Sequence, residues 1–458
     1  MKSDVTLMTS GSIYPKIVRF ALPVFWGQLF QQLYNIVDAA VVGNFVGLKA
    51  LAAVSSTNSL TQLFVGLFVG IFIGASVVIS KYLGAGREDC VHRAVHTDVA
   101  VAVAAGLFLA VIANVLAPKV LVLMDTPEGV LPDAVAYMRI YFSGALFVAL
   151  FNCSSGIFQA VGDSRHPLYY LIFSSVLNVA LDLLFVAVFE MGVKGAGIAT
   201  VISQAAGAFL AFRRLCTSRE IYRVEPRKLR FDPPMLREIL RTGLPSGVQN
   251  CVISFANVIV QSNINAFGDV AMAGAGAFNK SEGIAFIPIT SFAMASTTFV
   301  GQNLGAHEYE RAKRGAWFSI CAGCLIAETV GVIFYFIAPY LIALFNNEPE
   351  VIEIGTTVAH IRTLFFFLLA FSHCVAGVMR GAGRAIVPML TMLGCWCVFR
   401  VSYISIATHY ISDIRVVFWA YPITWTLSSI ILLVYLLKSD WVHGLERGEK
   451  STADYNHH

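Results

Sequence analysis

Asp38 and Asp182 are acids set in otherwise apolar runs, and each closes a polar stripe. The first stripe is Gln28, Gln31, Asn35 and Asp38, at i, i+3, i+7 and i+10, which is one face of a helix. The second is Ser174, Asn178 and Asp182, at i, i+4 and i+8, again one face. Thr200 stands early in the next apolar run. Ionisable groups inside a bilayer are costly, so they are functional candidates by default. Two carboxylates, an amide and a hydroxyl at one depth make an oxygen cage for a proton or a small hard cation. Such a pair can take up H⁺ or Na⁺, or attract an organic cation, and exchange of one for the other is antiport.

The elements that must position these groups are membrane helices. The chain has 458 residues, 57% hydrophobic and 13% charged, with a mean hydropathy of +0.71. Soluble domains carry roughly 25% charged residues, so a soluble enzyme, a disordered chain and a disulfide scaffold are excluded. Apolar runs fall near 17–42, 51–80, 95–117, 137–160, 168–190, 194–213, 243–267, 275–300, 316–344, 357–379, 386–408 and 416–437. The runs are continuous rather than alternating, which predicts helices and not barrel strands. The expected fold is an all-α polytopic membrane protein of twelve crossings, the first acting as its own insertion signal.

The chain repeats at an offset of about 221 residues. LeuGlyAla at 83–85 returns at 304–306, and Gly156, Gly162 and Pro167 return as Gly377, Gly383 and Pro388. LeuPro at 22–23 returns at 244–245, and Asn58 as Asn279. Six crossings per half place both halves in one orientation, related by a pseudo-twofold axis along the membrane normal. The expected division is an N-lobe over 1–212, a cytoplasmic linker over 213–241, a C-lobe over 242–440 and a tail over 441–458. Lys and Arg orient the chain. Arg87, Arg93, Arg165, Arg311, Lys313, Arg380 and the basic linker fall inside, with both termini. Lys49, Lys119, Arg139, Lys194, Arg362 and Arg415 fall outside, beside the acids Asp125, Glu128, Asp133, Glu348, Glu350 and Glu353. Two similar bundles predict rocking and alternating access rather than a pore.

The second half departs in charge. Its stripe, Asn250, Ser254, Asn257, Gln261 and Asn265, has no acid, so ion coupling is expected in the first half. Lys280, Glu282, Glu328 and Arg400 are left either as structural ion pairs with one another or as substrate contacts. Gln31, Asn35, Asn257, Gln261 and Glu282 are the candidate cavity residues. Pro23 removes a helical hydrogen bond below the first stripe and is a candidate hinge. The CxxC at Cys321 and Cys324 and the CxC at Cys395 and Cys397 lack further metal ligands and read as small apolar fillers. HExxH, GxSxG and a Walker loop are all missing, so neither an enzyme nor an ATP-driven pump is expected. A net charge of +4 names no nucleic-acid partner.

AlaLeuPro at 21–23, LeuTyrAsnIleValAsp at 33–38, GlnAlaValGlyAspSerArgHisPro at 159–167, AsnValAlaLeuAsp at 178–182 and ValGlyGlnAsnLeuGlyAla at 300–306 together resemble the multidrug and toxic compound extrusion (MATE) transporters. The resemblance runs over about residues 10–440. It implies two six-helix lobes forming a V around a central cavity, and efflux of amphipathic, mostly cationic compounds in exchange for H⁺ or Na⁺. It looks closer to the bacterial DinF-like pattern than to the NorM-like one, and the first-lobe cation site of the DinF-like branch falls here on Asp38, Asn178, Asp182 and Thr200, with bending at Pro23 as an implied coupled motion. Those four would be metal ligands only if the ion is Na⁺. The NorM-like branch adds an acid on helix 7, and this chain has none there. The resemblance implies no cofactor, and a multi-pass protein of the bacterial cytoplasmic membrane that takes small organic cations. Two alternatives stand beside it: a flippase for a lipid-linked precursor within the same superfamily, and a passive channel.

Overall fold

A computed structural model of the chain describes residues 7–123, 127 and 129–443. Asp125, Glu128 and the tail from residue 444 lie outside the described residues, as do the side chains of Lys49 and Asn58.

Helices account for the described chain almost throughout. They are α1 (Ile13–Phe45), α2 (Leu48–Gly84), α3 (Glu88–Leu123), α4 (Leu131–Ser143 with Ala145–Ala160), α5 (Arg165–Val188) and α6 (Gly192–Thr217) in the first half. The second half has α7 (Pro233–Asn265), α8 (Asp269–Gly305), α9 (Tyr309–Ala343), α10 (Pro349–Gly381), α11 (Ile386–Tyr410) and α12 (Arg415–Lys438). Ten of these are long and apolar enough to span a membrane, and α4, bent by 48° at Gly144, makes an eleventh. The remaining helix, α1, is 33 residues long, and its polar stripe lowers its apolarity. The fold is therefore all-α and polytopic, with twelve membrane helices in two six-helix lobes.

One feature differs from the sequence expectation. The tenth apolar run begins near 357, which leaves Arg362 at an outer edge. Helix α10 instead starts at Pro349, so Arg362 lies about 20 Å along it at 1.5 Å per residue and is only 4% exposed. The segment Pro349–Arg362 carries Glu350, Glu353 and His360 and reads as a loop by composition. Burial of one face and a proline at the first turn make it helix instead.

The described chain divides into two compact units. One holds Pro23–Gly247, and the other holds Met8–Leu22 and the chain from Val248 onward. Both divisions fall at or near a proline within a first helix, Pro23 in α1 and Pro245 in α7. Inside the first unit, α2 and the start of α7 meet glycine on glycine. A Cβ on Gly70 would lie 2.1 Å from the Gly247 nitrogen, and one on Gly74 would lie 2.5 Å from the Gly243 Cα. Two small-xxx-small pairs thus bring backbones into contact, the usual means of helix association where no hydrophobic drive exists between helices. The same stretch is tied by Lys81 Nζ to Glu238 at 2.9 Å, by the Tyr82 hydroxyl to Glu238 at 2.7 Å, and by Arg93 to both Asp232 oxygens at 2.7 and 2.9 Å. In the second unit, Arg311 donates to the carbonyls of Met8, Ser10 and Gly11, and Met8 N–H donates to Gln302 at 2.8 Å.

Candidate functional site

The first lobe brings together the four residues on which the two stripes converge. Asp182 is fully buried, Asn178 is 1% exposed and Thr200 3%. Asp38 is half-buried, and its carboxyl reaches that of Asp182 within hydrogen-bonding range. Two carboxyl groups bond each other only when one carries a proton, so this contact is itself a proton-holding geometry. Oδ1 of each acid lacks any conventional donor. No basic side chain pairs with either among the described residues.

Neighbouring helices fix the ligands. With its amide turned to suit both neighbours, Asn178 donates to Asp182 Oδ2 at 2.8 Å and accepts from Thr200 N–H at 3.3 Å. The Thr200 hydroxyl donates to Ala196 O at 3.0 Å, Ser203 to Thr200 O at 2.9 Å, and Ser174 to Ser203 O at 2.9 Å. Ser174 is thereby spent on joining α5 to α6. A π-helical stretch, Leu183–Val188, begins directly after Asp182. Such a widened turn is common at functional sites because it re-aims the side chains around it.

Three tyrosines complete the surroundings, and the stripe pattern passed over them. Tyr34, one turn before Asp38, lies beside Thr200. Tyr137 and Tyr141 stack at 6.3 Å, and Tyr137 lies near both acids. The i, i+4 spacing of Tyr34 and Asp38 carried a signal for the first. The two on α4 carried none, because aromatics abound in every crossing. A further acid, Asp98 on α3, was also passed over, since it stands among His92, Arg93 and His96 near a predicted helix end. It is 0% exposed and accepts from the Cys153 thiol at 3.2 Å.

Of the candidate cavity residues, Gln31 and Asn35 lie on α1, Asn257 and Gln261 on α7 and Glu282 on α8. Gln31, Asn35 and Asn257 are exposed, and Gln261 donates to Asn265 at 2.8 Å along its own helix. Lys280, Glu282, Glu328 and Arg400 do not pair with one another. Glu282 bonds Arg362 at 3.2 Å, Glu328 accepts the Phe367 N–H at 3.1 Å, and Lys280 lies 5.4 Å from the Phe345 ring. Arg400 is 1% exposed and donates to Thr424. Sequence spacing could not find Arg362 as the partner, because the helix that carries it looked like a loop.

The family model MatE matches residues 23–184 and 245–405, one stretch in each lobe. Among curated relatives, the probable multidrug resistance protein YpnP of Bacillus subtilis (strain 168) is 28% identical over 393 residues, covering 85% of this chain and 87% of its own. The probable multidrug resistance protein YoeA of the same organism is 28% identical over 447 residues, covering 94% and 96%. A solved structure of a multidrug resistance MATE family transporter of the MOP superfamily, in an outward-facing conformation, superposes with a TM-score of 0.89 at 22% identity. It covers 95% of this chain and 97% of its own.

Proposed function

The chain belongs to the MatE family of multidrug efflux transporters, and from that premise we propose that it exports amphipathic, mostly cationic compounds by proton-coupled alternating access. The observation that carries this reading is the contact between Asp38 and Asp182, two acids from different helices with no base paired to either among the described residues. In a low-dielectric interior such a pair favours one proton or one cation in place of two free charges. Cargo bearing positive charge competes for the same negative charge, so uptake of the ion on one side and its loss on the other couples the two fluxes.

The contact between the two carboxyls supports H⁺ as the ion, because one proton shared between Asp38 and Asp182 answers both acids without further ligands. Pro23 lies where α1 passes from one compact unit to the other and serves as the hinge by which protonation of Asp38 is felt along the helix. The basic segments support a topology with both termini and the linker over 213–241 on the cytoplasmic side of the cytoplasmic membrane.

The deciding experiment is dye efflux from proteoliposomes under an imposed pH gradient or an imposed Na⁺ gradient, each alone. Proton-driven efflux is the expected result. Efflux driven only by Na⁺ replaces the ion, and equilibration without ion exchange overturns the antiporter reading.

A further inference from the structure

The interior of the second lobe holds more positive charge than negative. Arg362 and Arg400 are 4% and 1% exposed, and Glu282 is the acid that answers them. Glu282 Oε2 bonds Arg362 Nη2 at 3.2 Å, and Arg362 Nη1 donates to Asn279 Oδ1 at 3.1 Å. Arg400 meets no acid within bonding distance among the described residues. Its Nε and Nη2 both converge on the Thr424 hydroxyl, at 3.1 and 2.7 Å, which in turn donates to Ala420 O at 2.8 Å. The Tyr421 ring lies against both guanidinium groups, 3.5 Å from Arg362 and 4.4 Å from Arg400. Trp396 covers Arg400 at 5.3 Å and is itself held by a 3.0 Å bond from its indole N–H to Ser428.

Ring faces and one hydroxyl recover only part of the cost of burying a guanidinium in a membrane. A counter-ion recovers far more. Polar atoms remain unused as well: Arg362 Nε and Glu282 Oε1 are buried without partners. The side chain of Glu282 is 18% exposed, so the cluster is least covered at that acid. Guanidinium forks match the planar oxygens of carboxylates and phosphates, and Tyr421 and Trp396 supply a flat apolar wall beside them.

We infer that the second lobe carries a recognition site for an anionic group, a carboxylate or phosphate borne by an amphipathic molecule. Arg400 and Arg362 are its donors, and Glu282 is the internal carboxylate that the incoming anion displaces from Arg362. The inference rests on the export reading, because cargo is what brings the group to the lobe.

The test is equilibrium binding, read by fluorescence polarisation on the purified full chain in nanodiscs of neutral-headgroup lipid. The probes are a xanthene dye as its free carboxylate and the same dye as its methyl ester. The free acid should bind about tenfold more tightly, the scale of a charge-assisted hydrogen bond. Arg400→Gln should bring the ratio of the two dyes to near one, and Glu282→Gln should widen it. Phosphatidic acid added to the bilayer weakens binding of the acid if a lipid phosphate is the natural occupant, and leaves it unchanged if a soluble cargo is; either result supports the site. Equal binding of both dyes, or an Arg400→Gln ratio like wild type, overturns it. If Arg400→Gln does not fold, an unchanged ratio in Glu282→Gln overturns it instead. Failure of ion-driven efflux would sink the export reading, and this binding ratio is measured independently of it.

Discussion

In the first lobe, Gly47, Gly86 and Gly162 turn the chain between helices at φ values of 104°, 67° and 85°. In the second, Gly268, His307 and Gly383 do the same at 96°, 60° and 71°, each 221 residues further on. The backbone has kept its turns even where glycine gave way to histidine. The interiors have not kept their charge. The first lobe joins Asp38 to Asp182 and seals in Asp98, while the second buries Arg362 and Arg400 and pairs the first of them with Glu282. Helix turns therefore constrain this duplicated fold more tightly than the groups it encloses. A turn has one allowed geometry, whereas an interior site needs only partners for whatever charge it holds.

The sharpest way to break this comparison is to remove the first lobe's charge. Asp38→Asn and Asp182→Asn should each lower ion-driven dye efflux to below about 1% of wild type, the scale of losing an essential proton-transferring group. Both should leave folded protein in the membrane by size-exclusion profile. Wild-type efflux in both variants would remove the first lobe from the mechanism.

In the second lobe, charge should act on stability first. Arg362→Gln strands Glu282 and should cost about 3 kcal/mol. The double change Glu282→Gln with Arg362→Gln should recover most of that in thermal unfolding. Additive losses would mean that the two residues are not a pair.

Close packing gives a smaller and opposite contrast between the lobes. A Cβ on Gly377 would meet Ala293 O at 2.3 Å, whereas one on Gly156, its counterpart, meets nothing nearer than Phe72 O at 3.5 Å. Gly377→Ala should therefore lose about 1–3 kcal/mol and Gly156→Ala very little. Equal melting temperatures for the two variants would count against the packing argument.

Beside the segment that joins α6 to α7, Arg93 holds the Asp232 carboxyl below its ordinary range. That contribution is full above about pH 4 and fades as pH falls through the lower folded value. Asp232→Asn should melt earlier than wild type at pH 7, and the gap should close in acid. A gap independent of pH would assign the effect to the backbone bonds of Asp232 instead. The smallest effect is expected at the turn. His307→Gly should gain under about 1 kcal/mol by relieving a positive φ, and a clear loss would show that the His307–Tyr309 bond at 2.8 Å outweighs it.

How much of this was legible in the sequence varied by residue. Helices α1 and α5 wrote their stripes at helical spacing, so Asp38, Asn178 and Asp182 could be aligned before any coordinates. Tyr137 and Tyr141 could not, because an aromatic in an apolar run looks the same whether it packs on lipid or on a site. Arg362 was misplaced because polar residues at one end of a helix resemble a loop. The bend of α4 at Gly144 and the π stretches in α5 (Leu183–Val188) and α11 (Leu393–Phe399) left no pattern at all.

Sequence by itself determined the class, the twelve crossings, the duplicated turns and which faces are polar, since each follows from local rules: the apolar length needed to cross a bilayer, the helical period, and the glycine that a positive φ favours. Tertiary structure alone decided which polar faces meet. It set Asp38 and Asn178 beside Asp182, and gave Arg362 to Glu282 while leaving Arg400 with a hydroxyl. Those outcomes depend on distances of about 3 Å between residues far apart in the chain, and helix packing sets such distances.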